Sequence, residues 1–191
     1  SLARDQFRLP QQKPLVLFGA IGGSKDPRKG FDLLLQALEL LTQEADLQDL
    51  ELLVFGQSKP LKSSYFSFPV HYLGHIYEDH SLRALYSASD AVLIPSRQDN
   101  LPNVGLEAQA CGTPVVAYAT CGLNDLVQHK ATGYLAEPFN AADYAKGIAW
   151  ALRHARGKQM ITQIRHHAVD KWGSRKIAES YLKIYQNQLS T

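Results

Sequence analysis

Cysteine is nearly absent from the chain: only Cys111 and Cys121 occur in 191 residues, and they lack C-x-x-C spacing. A zinc ribbon or a disulfide scaffold needs more sulfur than this, so the two are read as reduced thiols of a cytoplasmic protein. Long apolar runs are absent too. Nothing approaches the ~18 residues of a membrane-crossing helix, and the opening SLARDQFRLPQQKP lacks the apolar core of a signal peptide. No membrane segment is expected, and any membrane association is left to a longer parent protein. Charge of one sign is scarce: the formal net charge is +2 and the Lys and Arg residues are scattered. The basic surface of a nucleic-acid-binding or polybasic membrane protein is therefore not implied.

Two nucleotide motifs are also missing. A G-x-G-x-x-G fingerprint in the first loop would need glycine where Ile21 and Ser24 stand, and no G-K-[ST] occurs, so NAD binding and P-loop ATP hydrolysis are disfavoured. His71, His75 and His80 are close in sequence, but the first two flank a strand centre and the third starts a helix. They are not expected to converge on one ion; neither a metal nor a cofactor is expected.

What is present is an alternation of greasy strands and amphipathic helices. PLVLFGA at 14–20 is an apolar run ending in glycine, GFDLLLQALELL at 30–41 has helical spacing, and LELLVFG at 50–56 is strand-like again. Shorter strands follow at VHYLGHI, AVLIPS, PVVAYA and GYLAE, with helices at SLRALYSA, between Pro102 and Gly112, and from about 141 onward. Strands this apolar are covered on both faces, which predicts an α/β domain, 1–191, built on a doubly wound, mostly parallel sheet. In such sheets ligands bind beyond the carboxyl ends of the strands. Three loops qualify: GAIGGSKDPRKG, SRQDNLPN and ATCGLND.

Glu107 stands out on the helix after the second of these loops. Val104, Ala108 and Cys111 form an apolar stripe, and Glu107 falls inside it. A carboxylate buried without a partner is too costly, so a protein donor or a ligand hydroxyl must meet it. The loops also offer anion chemistry: Lys25, Arg28 and Lys29 follow the first strand, and the helix opening near Pro102 presents free amides at Asn103 and Val104. A diphosphate suits that combination. The plainer reading makes the cations solvated and Asn100 a helix cap.

The run DNLPNVGLEAQACGTPVVA, with seven residues between Asp99 and Glu107, resembles the acid-x7-acid signature of family 4 retaining glycosyltransferases, the glycosyl transferases group 1. FGAIGGSKDPRKGFDLLLQAL, LVFG, YLGHI, LYSASDAVLIPS and GYLAEPFNAADYAKGIAWAL are similar, in order, to the nucleotide-sugar-binding C-terminal domain of that GT-B fold. The resemblance covers nearly the whole chain. It implies the Rossmann-like half of an enzyme that moves a hexose from a nucleotide-diphosphate sugar to a saccharide or lipid-linked acceptor, with retention of anomeric configuration. Polysaccharide biosynthesis is the implied setting, and UDP, GDP and ADP donors all remain open.

Roles follow from the resemblance residue by residue. Glu107 is implied to hold the ribose hydroxyls and Asp99 to act catalytically beside the hexose. Lys29, before Gly30, matches the family lysine on the donor diphosphate, with Arg28, Asn100, Asn103 and Val104 completing the donor site. The chain also departs from the family. Ala20 follows Gly19 where an arginine is usual, with Arg28 and Lys25 the candidates to substitute for it; Asp99 and Asp125 stand where glutamate is commoner. The acceptor domain of the GT-B pair is expected to be missing, leaving the fragment alone inactive. The segment 171–189 carries Ile177, Tyr181, Ile184 and Tyr185 at helical spacing, a terminal helix that faces either the missing domain or its own sheet. The alternative function is a non-catalytic nucleotide-sugar-binding or interaction module of the same fold.

Overall fold

A sheet strand with no polar side chain on either face can exist only between two layers of helix, and that is how the chain is built. The computed structural model describes residues 1–19, 26–58, 65–154 and 157–189. Its strands are β1 (Leu15–Gly19), β2 (Glu51–Phe55), β3 (Val70–Tyr72), β4 (Ala91–Ile94), β5 (Val115–Tyr118) and β6 (Gly133–Ala136). They form one sheet in the order β3-β2-β1-β4-β5-β6, and every pair is parallel. The register places Leu17 between Leu53 and Val92, so the central strands are sealed by neighbours on both edges as well as both faces.

The helices are α1 (Leu2–Gln6), α2 (Phe31–Leu41), α3 (Asp79–Ala88), α4 (Asn103–Ala110), α5 (Leu123–Leu126), α6 (Ala141–His154), α7 (Lys158–Trp172) and α8 (Ser174–Leu189). One core contains Val16, Phe18, Leu52, Val54, Leu93, Val116 and Tyr118, with Leu34 and Leu38 of α2 and Tyr144 and Ile148 of α6. The opposite core contains Leu15, Leu17, Leu53, Val92 and Val115, with Leu85 and Tyr86 of α3, Ala108 of α4 and Leu123 of α5. Period-two alternation along the strands therefore feeds two cores of comparable depth. Truncating one of these fully buried leucines to alanine costs about 2–5 kcal/mol.

At the amino end of the sheet, Arg4 closes the structure. Its guanidinium donates to the carbonyls of Ala88, Pro10, Gln11 and Lys13 at 2.9–3.0 Å and to Asp90 Oδ2 at 3.0 Å. Asp90 Oδ2 also accepts the Leu15 amide at 2.7 Å. The buried charge is thus paired and hydrogen-bonded, the condition under which burial is tolerated.

The last helix behaves differently from the others. Along α8, residues 174–188 are all exposed, including Ile177, Tyr181, Leu182, Ile184 and Tyr185. Of the two placements open for this helix, packing on its own sheet is not what the structure has. Among the described residues no helix is long and apolar enough to cross a membrane.

Candidate functional site

Strand order reverses between β1 and β4, which makes the crevice beyond their carboxyl ends the topological switch point of the sheet. A cavity opens there. Phe18 and Gly19 of β1, Phe55 of β2 and Ile94 to Ser96 after β4 form its floor, and Lys29, Asp99, Pro102 and Val104 its rim. Gly19 fits closely at the floor: a Cβ there would lie 3.1 Å from the Phe55 ring, which would have to shift slightly. The enclosed volume is about 110 Å³, below the roughly 300–1,000 Å³ of a small-molecule site. It has room for only part of a ligand of that size.

Lys29 is delivered by a short turn with strong local signals. Asp26 caps a 3₁₀ turn over Pro27–Lys29, accepting the Arg28 amide at 3.0 Å, and proline takes the first helical position. Gly30 ends the turn at φ +65°, and a Cβ on it would sit 1.9 Å from the Pro95 carbonyl oxygen. Both the left-handed backbone and the missing side chain are required for the turn to lie against the end of β4. So placed, Lys29 Nζ donates to Asp99 Oδ2 at 2.8 Å. Ser96 Oγ stands 3.5 Å from the same oxygen, and the Gly122 amide donates to the Asp99 carbonyl at 3.1 Å. A Cβ on Gly122 would be 1.2 Å from the Asn100 carbonyl oxygen, so the third loop is also pressed onto this segment.

Helix α4 begins beside this pair. Its N-cap is Pro102 with no side-chain cap, and Gly105 is the first amide bonded back to the turn, through the Pro102 carbonyl at 2.9 Å. Asn100 is therefore not the cap of this helix. The amides of Asn103 and Val104 precede the first bonded one at the positive end of the helix dipole. Asn100 and Asn103 are exposed, while Val104 is half-buried on the cavity.

Glu107 requires a correction. It is exposed rather than enclosed in an apolar stripe, because α4 packs through Gly105, Ala108 and Gln109. Gly105 sets that rotation: a Cβ there would meet Leu126 Cδ2 at 2.3 Å and Ile94 Cδ1 at 3.0 Å. The carboxylate does have a protein partner. The hydroxyl of Tyr86, whose ring is buried, donates to Glu107 Oε2 at 2.6 Å. Burial and the adjacent carboxylate push the Tyr86 phenol far above its ordinary pKa, so it stays a donor. The two line a groove between α3 and α4 with Asp79, Leu82, Arg83 and Cys111, separate from the cavity that holds Lys29 and Asp99. Burial pushes the Cys111 thiol above its ordinary pKa.

The remaining expected residues divide. Arg28 does not line the cavity; its guanidinium is bound to Asp26 at 2.8 and 3.1 Å. Ala20 and Lys25 lie outside the described residues. Asp125 is exposed on α5. His71 Nε2 sits 2.5 Å from Glu51 Oε2, His80 lies beside Glu78 and His75 stacks on Tyr77, three separate places. Among the described residues no three His, Cys, Asp or Glu side chains come together. Sequence reasoning did not single out Tyr86, Ser96 or Arg97. A tyrosine hydroxyl opposite an acid at neighbouring helix positions leaves no periodic trace, and Arg97 reads as one more polar loop residue.

The chain matches the family described as glycosyl transferases group 1 over residues 14–154. It is 30% identical over 192 residues to the D-inositol 3-phosphate glycosyltransferase of Xylanimonas cellulosilytica, covering 95% of this chain and 44% of that protein. Its fold superposes on sucrose-phosphate synthase from Thermosynechococcus elongatus with TM-score 0.76 and 28% identity, over 98% of this chain and 48% of the other. Anabaena Alr3699/HepE, solved in complex with UDP-glucose, gives TM-score 0.72 at 21% identity, over 96% and 52%. The chain thus spans less than half the length of the curated relative it matches.

Proposed function

The chain belongs to the glycosyl transferases group 1 family, and on that premise we propose that it is the donor-binding half of a glycosyltransferase. Its substrate on this side is a nucleotide-diphosphate sugar, and the sugar passes with retention to a saccharide or lipid-linked acceptor held by a second, N-terminal domain of the whole protein. One observation carries this reading: Lys29, Asp99 and the uncapped start of α4 meet at the switch point of the sheet, where β1 and β4 diverge.

The chemistry follows from charge. A diphosphate beside Lys29 Nζ and the Asn103 and Val104 amides gains negative charge as the anomeric bond breaks. Groups already oriented there stabilise that charge more in the transition state than before it. Asp99 faces the sugar, and Glu107, braced by Tyr86, takes the ribose hydroxyls from the α3 side. The apolar face of α8 is directed to the second domain. Arg28 is engaged by Asp26, so it serves the diphosphate only after exchanging partners.

The test is titration of this chain with UDP-, GDP- and ADP-sugars by calorimetry, starting with UDP-glucose because the Anabaena protein of the same fold was solved with it. Saturable binding of one nucleotide class, weakened in Glu107→Ala and in Lys29→Met, is the expected result. Binding that neither variant weakens overturns the site assignment.

A further inference from the structure

Lys29 and Asp99 belong to different loops, 70 residues apart in sequence, and something must hold those loops in register. The side chain that spans them is Arg97. Its Nη1 donates to the Pro27 carbonyl at 2.9 Å and to Asp32 Oδ1 at 2.8 Å, and its Nη2 to Asp32 Oδ2 at 2.6 Å. Its backbone amide donates to the Arg28 carbonyl at 2.7 Å, and its carbonyl accepts Thr120 Oγ1 at 3.2 Å. One residue therefore grips both ends of the turn that carries Lys29 and is gripped in turn by the loop after β5. The fork geometry matters, since a planar guanidinium makes two parallel bonds to a carboxylate and a lysine cannot.

We propose that Arg97 is a positioning residue for the donor site: clamped to Asp32 and to the backbone of Pro27 and Arg28, it fixes the turn bearing Lys29 against the loop bearing Asp99. The inference rests on the donor reading above. As an ion pair the clamp adds little stability, because Asp32 is more than half exposed and water screens such pairs. Its effect is geometric. The Arg97 side chain does not line the cavity, so it acts on a ligand through the loops that carry Lys29 and Asp99.

Native-state amide exchange on the 191-residue chain, without ligand, tests the clamp. In Arg97→Gln and in Asp32→Asn the amides of Lys29, Gly30 and Arg97 are expected to exchange at least ~10-fold faster, with the β1 and β4 amides unchanged. Asp32 is exposed enough that its variant folds if the wild type does. Unchanged exchange at the three amides, or equal acceleration throughout the strands, overturns the proposal. A second arm uses UDP, GDP and ADP by ligand-observed NMR. Arg97→Gln should weaken the bound nucleotide ~10-fold and lose most of that effect once Lys29→Gln is present; a loss that persists in full in the Lys29→Gln background overturns action through Lys29. Failure of the wild type to bind any of the three counts against the donor reading alone, and the exchange result still decides the clamp.

Discussion

Lys29 Nζ and Asp99 Oδ2 stand 2.8 Å apart with the Asp99 side chain 16% exposed, so the cation assigned to the donor diphosphate is already neutralised by the acid assigned to the sugar. A diphosphate must take Lys29 from Asp99, and in doing so releases Asp99 toward the sugar. Asp99→Asn removes the competitor. It should tighten binding of the free nucleoside diphosphate by about 1 kcal/mol, a gain of ~5-fold, while Lys29→Met weakens it by about 1.5–3 kcal/mol. Calorimetry with both variants checks this; Asp99→Asn binding more weakly than wild type contradicts the competition.

Tyr86 has two jobs that substitution can separate. Its ring packs edge-on against Phe55 with centroids 6.3 Å apart, and its hydroxyl orients Glu107. Tyr86→Phe keeps the ring, and because Glu107 is exposed water can replace the hydroxyl; the stability loss should be about 0.5–1.5 kcal/mol. Tyr86→Ala opens the core and should cost about 3–5 kcal/mol. Urea unfolding distinguishes the two, and nucleotide affinity should fall in Tyr86→Phe as in Glu107→Ala.

Gly30→Ala should be far worse than its size suggests. The new Cβ meets the Pro95 carbonyl oxygen at 1.9 Å, at φ +65°, so the turn must leave the end of β4. The expected outcome is a loss of about 2 kcal/mol or more, read as a lower thermal midpoint, with Lys29 freed from Asp99. By contrast Gly74→Ala, where a Cβ meets nothing within 4 Å at a similar φ of +66°, reports backbone strain alone and should cost less.

The clamp also has an acid signature. The hydrogen bonds from Arg97 hold the Asp32 carboxyl below its ordinary pKa. A depressed carboxylate contributes stability that is complete above its unfolded value, near pH 4, and is lost as pH falls through the lowered folded value. The destabilisation caused by Arg97→Gln should therefore shrink as pH drops from 7 to 3. Urea midpoints of the two proteins across that range test it; a gap that widens in acid contradicts the pairing.

Much of this was legible in the amino-acid order. Runs such as LVLFG and AVLI have no polar face, so they could only be covered strands, and the loops after them line the cavity at the switch point. Lys29 before Gly30 and Asp99 ahead of the helix were singled out by resemblance to the family motifs, and the structure brings the two side chains together. Glu107 was misread because helical spacing says which residues share a face and not which face a neighbour covers. Gly105, too small to count in an apolar stripe, turned out to be the contact point. Arg28 was given to the ligand although Asp26, two residues away, was at hand to hold it. Arg97 and Asp32 are 65 residues apart, and no local pattern links them.

The cluster around Arg4 carries a consequence for how the chain is made. Its partners at Ala88 and Asp90 lie 84 and 86 residues downstream, while the β1 strand next to it also needs β4 to complete its pairing. At ribosomal speeds of about 5–20 residues per second, Arg4 waits roughly 4–17 s for those groups to be synthesised. During that interval the strand LVLFG lacks its β4 neighbour and has one unpaired edge, a transient template for wrong pairing.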